Sequence, residues 1–324
     1  MTDHARTLVD VAPTLRRQFF PAGLPACRLV DTHADLPAAL PGTEILVTSW
    51  GQQRLDAELL DRAPELRLVA HTGATVKFFV TDELFDRGVR VTQAGAAMAR
   101  PVGEMALAFT LALLHRIPRF DHALHAGTGW DAAKQAPVRH EIGGCPIGVV
   151  GASRTGRAYL ALARALGADL GVADPYLTER EAAELGVRRT ELDTLLRESA
   201  IVVLHAPVLP ETRHLIGARE LALMPDGAGL VNTARSWLVD EAALYAEVST
   251  GRLDAAIDVY DDEPLPVDHP LRALPNVLLT PHEAAGTAEG RRRQGDIVLA
   301  EIARYRAGEP LHHEVTRTDL ARMG

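Results

Sequence analysis

Between Ile147 and Asp174 the chain reads IGVVGASRTGRAYLALARALGADLGVAD, and few architectures accept that order of residues. Ile147, Val149 and Val150 form a short apolar run that predicts a buried strand. The stretch Gly151 to Gly156 turns the chain, and a helix follows in which Tyr159, Leu162, Ala163 and Leu166 recur at the spacing of one buried face. Gly167 stops that helix, Leu170 to Ala173 read as a second strand, and Asp174 stands at its end. Strand, tight turn, helix, strand and terminal carboxylate compose a mononucleotide-binding βαβ unit. A helix N-terminus offers unpaired N–H groups and a positive dipole end to a pyrophosphate. Asp174 would accept hydrogen bonds from an adenosine ribose and repel a 2′-phosphate, so NAD is the expected cofactor and NADP is disfavoured. The middle glycine of the usual G-x-G-x-x-G is Ser153 here, a side chain expected to restrict the backbone's approach to phosphate. An ordinary tight turn before a core helix gives the same glycine pair; the flanking strands and Asp174 favour the nucleotide.

A chain of 324 residues suffices for two modest domains, each with its own core. Hydrophobic content of 47 % with 24 % charged residues fits a globular protein, and a net charge of -9 argues against a nucleic-acid partner. Lys77 and Lys134 are the only lysines. Cys27 and Cys145 supply neither a disulfide framework nor metal-ligand spacing, and predict buried thiols in a reducing cytoplasm. The opening MTDHARTLVD has no signal-peptide core, and the longest apolar stretch, around Met105 to Leu114, reads as too short to span a bilayer. No membrane association is expected.

The first 95 or so residues alternate short apolar runs with helical patterns, as an open α/β sheet does. Expected strands are 7–11, 27–30, 44–48, 66–71 and 89–92, with helices near 13–19 and 55–63. Ligands gather beyond the carboxyl ends of such strands. Thr48-Ser49-Trp50-Gly51 follows one end; His71-Thr72-Gly73-Ala74-Thr75 follows another and can offer backbone N–H groups to an anion. Trp50 reads first as core or dimer packing, and Lys77 as a solvated charge. Pro101 to Ile117 is an apolar helix with proline in its first turn, which sets the domain boundary near Met98. The histidines at 115, 122, 125 and 140 lack a ligand pattern, so no metal site is expected. Beyond Asp174, helices are expected at 179–185 and 192–198 and strands at 201–204, 229–232, 253–259 and 276–280. A last helix spans 287–308, and Leu311–Val315 reads as a strand returning to the first sheet. Arg291-Arg292-Arg293 reads as a solvated face, and His312-His313 as end-of-chain packing.

Arg235, Glu263 and His282 follow strand ends and can cooperate. Hydride transfer to or from a carbinol needs a proton donor and acceptor at the oxygen, and histidine serves near neutral pH. A carboxylate bonded to the imidazole fixes its tautomer, and a guanidinium offers a planar fork to a substrate carboxylate. Taken singly, each has a plain reading as surface arginine, loop glutamate or capped histidine.

In sequence order, Val102-Gly103-Glu104, IGVVGASRTGR with Asp174-Pro175-Tyr176, SAIVVLHAPVLPETRHLI, MPDGAGLVNTARSWLVDEAAL, AAIDVYDDEPLP and PNVLLTPHEA carry a resemblance. Over nearly its whole length the chain resembles the D-isomer-specific 2-hydroxyacid dehydrogenases. The resemblance implies an α/β fold of two Rossmann-like or flavodoxin-like domains with parallel sheets. The dinucleotide-binding domain, residues 98–283, would be inserted into a discontinuous substrate domain formed by 1–97 and 284–324. It implies that Arg235 binds and polarises a small 2-keto or 2-hydroxy acid, that His282 is the acid/base, and that Glu263 is its partner. Asp258 would hold the nicotinamide carboxamide, Thr233 and Ala234 with Arg235 would line the nicotinamide, Arg154 and Thr155 would cover the pyrophosphate, and Ala206-Pro207 would flank the adenosine. Gly73, Ala74 and Thr75 match the substrate-carboxylate loop. Homodimerisation through residues 100–140 is implied as well. Ser236-Trp237 departs from the family's glycine and smaller residue. Glu263 stands where the family's formate dehydrogenases carry glutamine, which disfavours that reaction. No regulatory domain is expected beyond residue 324, unlike the longer phosphoglycerate dehydrogenases, though a short-form phosphoglycerate enzyme stays open.

The expected activity is therefore NAD-dependent interconversion of a 2-keto acid and a D-2-hydroxy acid. The rival is an NAD(H)-sensing binding protein like the corepressors that resemble this family and keep the same three polar residues.

Overall fold

The computed structural model describes residues 6–322; residues 1–5 of the opening segment read for a signal peptide, and residues 323–324, lie outside the described residues. Two compact units emerge, residues 1–98 with 286–324, and residues 99–285.

The first unit begins β1 (Thr7–Asp10), α1 (Pro13–Phe19), β2 (Arg28–Val30), α2 (Leu36–Ala39), β3 (Ile45–Thr48), α3 (Ala57–Asp61), β4 (Leu68–His71), α4 (Asp82–Asp86) and β5 (Arg90–Gln93). Its strands are all parallel, in the order β2-β1-β3-β4-β5. Alternation along the strands splits the core into two faces. Leu8, Leu46, Val69 and Val91 lie on one face, and Val9, Val47, Leu68 and Ala70 on the other. Because both faces are covered, β1, β3 and β4 are buried at every residue, and their polar residues Thr7, Asp10, Thr48 and His71 fall at strand ends.

The second unit runs α5 (Ala99–Leu114), α6 (Ile117–His125), α7 (Trp130–Ala133), β6 (Pro146–Val150), α8 (Arg154–Ala165), β7 (Asp169–Ala173), α9 (Glu179–Leu185), β8 (Arg188–Arg189) and α10 (Leu192–Glu198). It continues through β9 (Ile201–Leu204), α11 (Ala218–Leu223), β10 (Gly229–Asn232), α12 (Glu241–Ser249), β11 (Asp254–Ile257) and β12 (Val277–Leu279). The parallel order is β12-β11-β10-β9-β6-β7-β8, so the strand order reverses beside β6. With all seven strands parallel, their carboxyl ends share one edge, and a ligand crevice belongs beside that reversal. The chain then returns to the first unit as α13 (Ala288–Ala307) and α14 (Arg317–Arg322).

Several expectations need correction. In α8 the buried face is Gly156, Tyr159, Leu160 and Ala163, whereas Leu166 is 46 % exposed. The face begins one turn earlier because Gly156 packs under the turn. Leu311–Val315 forms no strand; its link to the first sheet is a single antiparallel bridge from Thr92 to Glu314. The apolar stretch taken as Met105 to Leu114 extends from Gly95, giving 20 residues that could cross a membrane by length and composition. Half of that stretch is buried, and Ala106, Phe109 and Leu113 join the core beside α8. Arg291 belongs to no solvated face: it is 6 % exposed, while its neighbour Arg292 is exposed.

Candidate active site

The glycine turn is shaped by contact with the segment after β9. Gly151 sits at φ +95°, and a Cβ there would come 2.7 Å from the Ala206 nitrogen. A Cβ on Gly156 would meet the Gly151 carbonyl oxygen at 2.2 Å. Only glycine lets the turn fold back on itself at these two places. Ser153 is accommodated within the turn. At φ -63° it needs no left-handed backbone, and its Oγ accepts the Gly156 N–H at 3.3 Å as the N-cap of α8. The N–H groups of Arg154 and Thr155 fall in the first turn of α8, where no intrahelical acceptor exists.

Asp174 follows β7. Its Oδ2 accepts the Ala152 N–H at 2.7 Å and its Oδ1 the Tyr176 N–H at 2.8 Å, which ties the carboxylate to the turn. A cavity of about 160 Å³ opens there, lined by Val150, Asp174, Pro175, Arg189 and Thr190 among others. Ala206 is buried behind Gly151, with Pro207 next to it at the surface. Thr233 Oγ1 is buried with no hydrogen-bond partner among the described residues. Ala234 is held by its N–H to Asn232 Oδ1 at 3.0 Å. These groups fit a dinucleotide: a turn that needs glycine, first-turn N–H groups beyond any intrahelical acceptor, a carboxylate at the end of β7 and an orphaned hydroxyl.

Sequence reading passed over His205. Its ring is fully buried, 5.5 Å from that of Tyr159, and both ring nitrogens are buried without a partner among the described residues. Burial pushes this imidazole down to about 3, so it stays neutral. A histidine closing an apolar strand is the only sign of it in the sequence.

On the same sheet edge, His282 Nδ1 lies 2.7 Å from Glu263 Oε2, and the two side chains are 42 % and 38 % exposed. Glu263 Oε1 accepts the Tyr260 N–H at 3.0 Å, and Tyr260 Oη donates to the Thr280 carbonyl at 2.8 Å. His282 adopts φ +54°, and Asp258 braces the chain around it. Asp258 is 0 % exposed; its Oδ1 accepts Thr280 Oγ1 at 2.5 Å and the Glu283 N–H at 3.0 Å, and its Oδ2 accepts the Ala284 N–H at 3.0 Å. Arg235 follows β10, and its Nη1 donates to the Ala234 carbonyl at 2.6 Å. Burial lowers the Arg235 pKa, and the charge of Glu263 opposes that shift. One unit therefore brings guanidinium, carboxylate and imidazole together. A cavity of about 300 Å³ borders Glu263, Thr280 and His282. A larger cavity, about 900 Å³, lies at the opposite strand ends near Arg116, Pro146 and Arg252, away from this chemistry.

In the first unit, the Gly73–Thr75 loop leaves β4. A Cβ on Gly73 would strike His71 Nε2 at 2.5 Å, and Trp50 Nε1 lies 3.4 Å from the same point. Burial holds the His71 imidazole at about 3, with Nδ1 2.9 Å from Thr48 Oγ1. Trp50 is 40 % exposed, with its ring 5.7 Å from that of Phe19. Lys77 is exposed, as expected, beside Phe78 at 80 % exposure. Trp237, where the family differs, donates its Nε1–H to the Leu209 carbonyl at 2.9 Å and packs under Arg213.

Residues 107–284 match the model of the D-isomer specific 2-hydroxyacid dehydrogenase, NAD binding domain. The chain belongs to that family. Among family members, a D-3-phosphoglycerate dehydrogenase from Archaeoglobus fulgidus is 33 % identical over 88 % of this chain and 53 % of its own length. A glyoxylate reductase from Korarchaeum cryptofilum is 34 % identical over 79 % of this chain and 77 % of its own. The chain spans about half the length of the D-3-phosphoglycerate dehydrogenases it matches. Among solved structures, TT0316 of Thermus thermophilus superposes with a TM-score of 0.81 at 28 % identity, covering 96 % of this chain and 100 % of that one. TP0037 of Treponema pallidum, a D-lactate dehydrogenase, gives 0.80 at 25 % identity over 96 % and 99 %. The family fold is the expected one of two parallel α/β sheets, and the family's cofactor is NAD.

Proposed function

We propose that this family member is an NAD-dependent oxidoreductase interconverting a small 2-keto acid and the D-2-hydroxy acid. The observation that carries the reading is the 2.7 Å bond from His282 to Glu263, with the Arg235 charge beside it. NADH, when bound, supplies the hydride that the substrate's C2 carbon takes up. His282 keeps Nδ1–H directed at Glu263 and delivers the proton from Nε2 to the C2 oxygen. Glu263, fixed by the Tyr260 N–H, sets the orientation of that ring. Arg235, half-buried and with one hydrogen bond to the Ala234 carbonyl, grips the substrate carboxylate and draws charge toward the C2 oxygen. Gly73, Ala74 and Thr75 add backbone N–H groups to the carboxylate's binding. Gly151, Ser153, Arg154, Thr155 and Gly156 hold the pyrophosphate, Asp174 the ribose, Ala206 and Pro207 the adenosine side, and Thr233, Ala234 and Asp258 the nicotinamide side.

A homodimer formed through residues 100–140 accords with the exposure of Ile117, Leu124, Trp130 and Val138. Free thiols at Cys27 and Cys145 suit a reducing compartment such as the cytoplasm. The test is NADH oxidation with a series of 2-keto acids, read by loss of NADH absorbance. Turnover of at least one supports the reading. A flat response across the series, alongside tight NADH binding, overturns it in favour of a sensor.

A further inference from the structure

The carboxylate bonded to His282 stands on an exposed arm. Beyond β11 the chain runs out through Asp261, Asp262, Glu263 and Pro264, all exposed, and Val267 further along is 92 % exposed. Tyr260 anchors the inner end: its N–H donates to Glu263 Oε1 at 3.0 Å, and its Oη donates to the Thr280 carbonyl at 2.8 Å. His269 anchors the outer end, its Nε2 lying 3.0 Å from Glu241 Oε1 of α12. Between these anchors little apolar contact holds the backbone, since Leu265 and Pro266 are only half-buried.

Arg272 spans that gap. It belongs to the turn Pro270–Ala273, ahead of β12. Its Nε donates to the Pro266 carbonyl at 2.7 Å and its Nη2 to the Leu265 carbonyl at 2.8 Å. Two donors of one rigid fork thus meet two successive carbonyls, which a lysine ammonium cannot copy. Among the described residues, no other side chain hydrogen-bonds residues 264–268. Arg272 also borders the same cavity, about 300 Å³, as Tyr260, Glu263 and His282. The gripped carbonyls belong to the second and third residues after Glu263. A clamp that close leaves the carboxylate little freedom to drift, and an orienting group works only while its own geometry is held. A surface staple that served stability alone would make the same two bonds, so the test must tell stability from aim.

We propose that Arg272 is a positioning residue: by clamping Leu265 and Pro266 it keeps the Glu263 carboxylate on the His282 ring and so sets the aim of the transferred proton. This deepens the oxidoreductase reading and rests on it.

The purified full chain is assayed with NADH and a 2-keto acid that the wild type reduces. Arg272→Lys and Arg272→Met should each lower kcat by about 10-fold with KM for NADH unchanged, because misplacing a reacting group by ~1 Å can cost about 100-fold. Lysine keeps the charge and loses the fork, so wild-type kcat in Arg272→Lys overturns the proposal. In a Glu263→Gln background the carboxylate is already gone, and adding Arg272→Met should cost less than about 2-fold more. Persistence of the full loss in that background overturns the proposal too.

Amide hydrogen exchange gives a readout that needs no turnover. Glu263 itself protects the Tyr260 N–H, so that amide should exchange about 10-fold faster or more in Arg272→Lys while the amides of β9 keep their rates. An unchanged Tyr260 rate overturns the proposal. So does faster exchange spread evenly over the second unit, which marks a loss of stability alone. Reduction of no 2-keto acid by the wild type overturns the oxidoreductase reading, and the Tyr260 amide then decides by itself whether Arg272 sets the carboxylate.

Discussion

His282 holds a left-handed backbone that side chains other than glycine rarely adopt, and Asp258 supports the bend through the N–H groups of the next two residues. The placement ties ring orientation to a buried carboxylate rather than to the exposed loop alone. His282→Ala should lower turnover by about three orders of magnitude or more, at or above the usual acid/base contribution, in a steady-state assay. Near-normal turnover would remove the mechanism. A different behaviour belongs to His71 and His205, whose imidazoles are both held near 3 by burial. In the unfolded chain they take up protons near pH 6.5. Between that pH and about 3 the unfolded state therefore binds more protons than the folded one, and stability falls as pH falls. Each such histidine should cost on the order of 1 kcal/mol per pH unit in that window. Denaturant midpoints at neutral and mildly acidic pH, with His205→Phe as the variant that flattens the slope, measure this. At this scale the sequence exposed the residues with a motif around them. His282, Glu263 and Arg235 close recognisable blocks, whereas the burial of Arg291 and His205 depends on what other segments lay over them, and no local pattern encodes that.

Elements were legible wherever both faces of a strand are buried. Ile201–Leu204 and Gly229–Asn232 stand out because an unbroken apolar run between polar turns has few alternatives. Leu311–Val315 interrupts its apolar ends with His312, His313 and Glu314, and two backbone hydrogen bonds to β5 around one bridge do not make a strand. In α8 the error had the same kind of source: periodicity identifies a stripe, but Gly156 sets where that stripe begins. Asp174 belongs to this scale because it joins β7 to the turn before α8. Asp174→Ala should raise KM for NADH by about 10-fold and narrow the NADH-to-NADPH preference, as loss of one charged hydrogen-bond acceptor implies. Unchanged KM for NADH would show that the ribose lies elsewhere. Helix α13 meets α1 so closely that a Cβ on Gly295 would stand 2.0 Å from the Phe19 carbonyl oxygen. Gly295→Ala should destabilise the first unit by about 1–3 kcal/mol, seen as a lower urea midpoint, because backbone cannot yield as a side chain does.

For the molecule as a whole, the second unit carries its own interior electrostatics. Asp254, 1 % exposed, receives Arg116 and Arg119, both at 2.5 Å, and Arg116 also donates to the Gly227 carbonyl at 2.8 Å. Asp254→Asn would strand two guanidinium groups and should lower stability by about 3–5 kcal/mol in equilibrium unfolding. The first unit depends instead on chain order. Val298 and Ile302 of α13 cover the sheet face that holds Val9, Val47 and Leu68. During synthesis that face leaves the ribosome long before the helix that shields it, since residues 99–285 come between them. At roughly 5–20 residues per second the wait is on the order of ten to forty seconds. A nascent chain would spend that interval with a naked greasy surface, making its early life a matter for chaperones however settled the finished protein is.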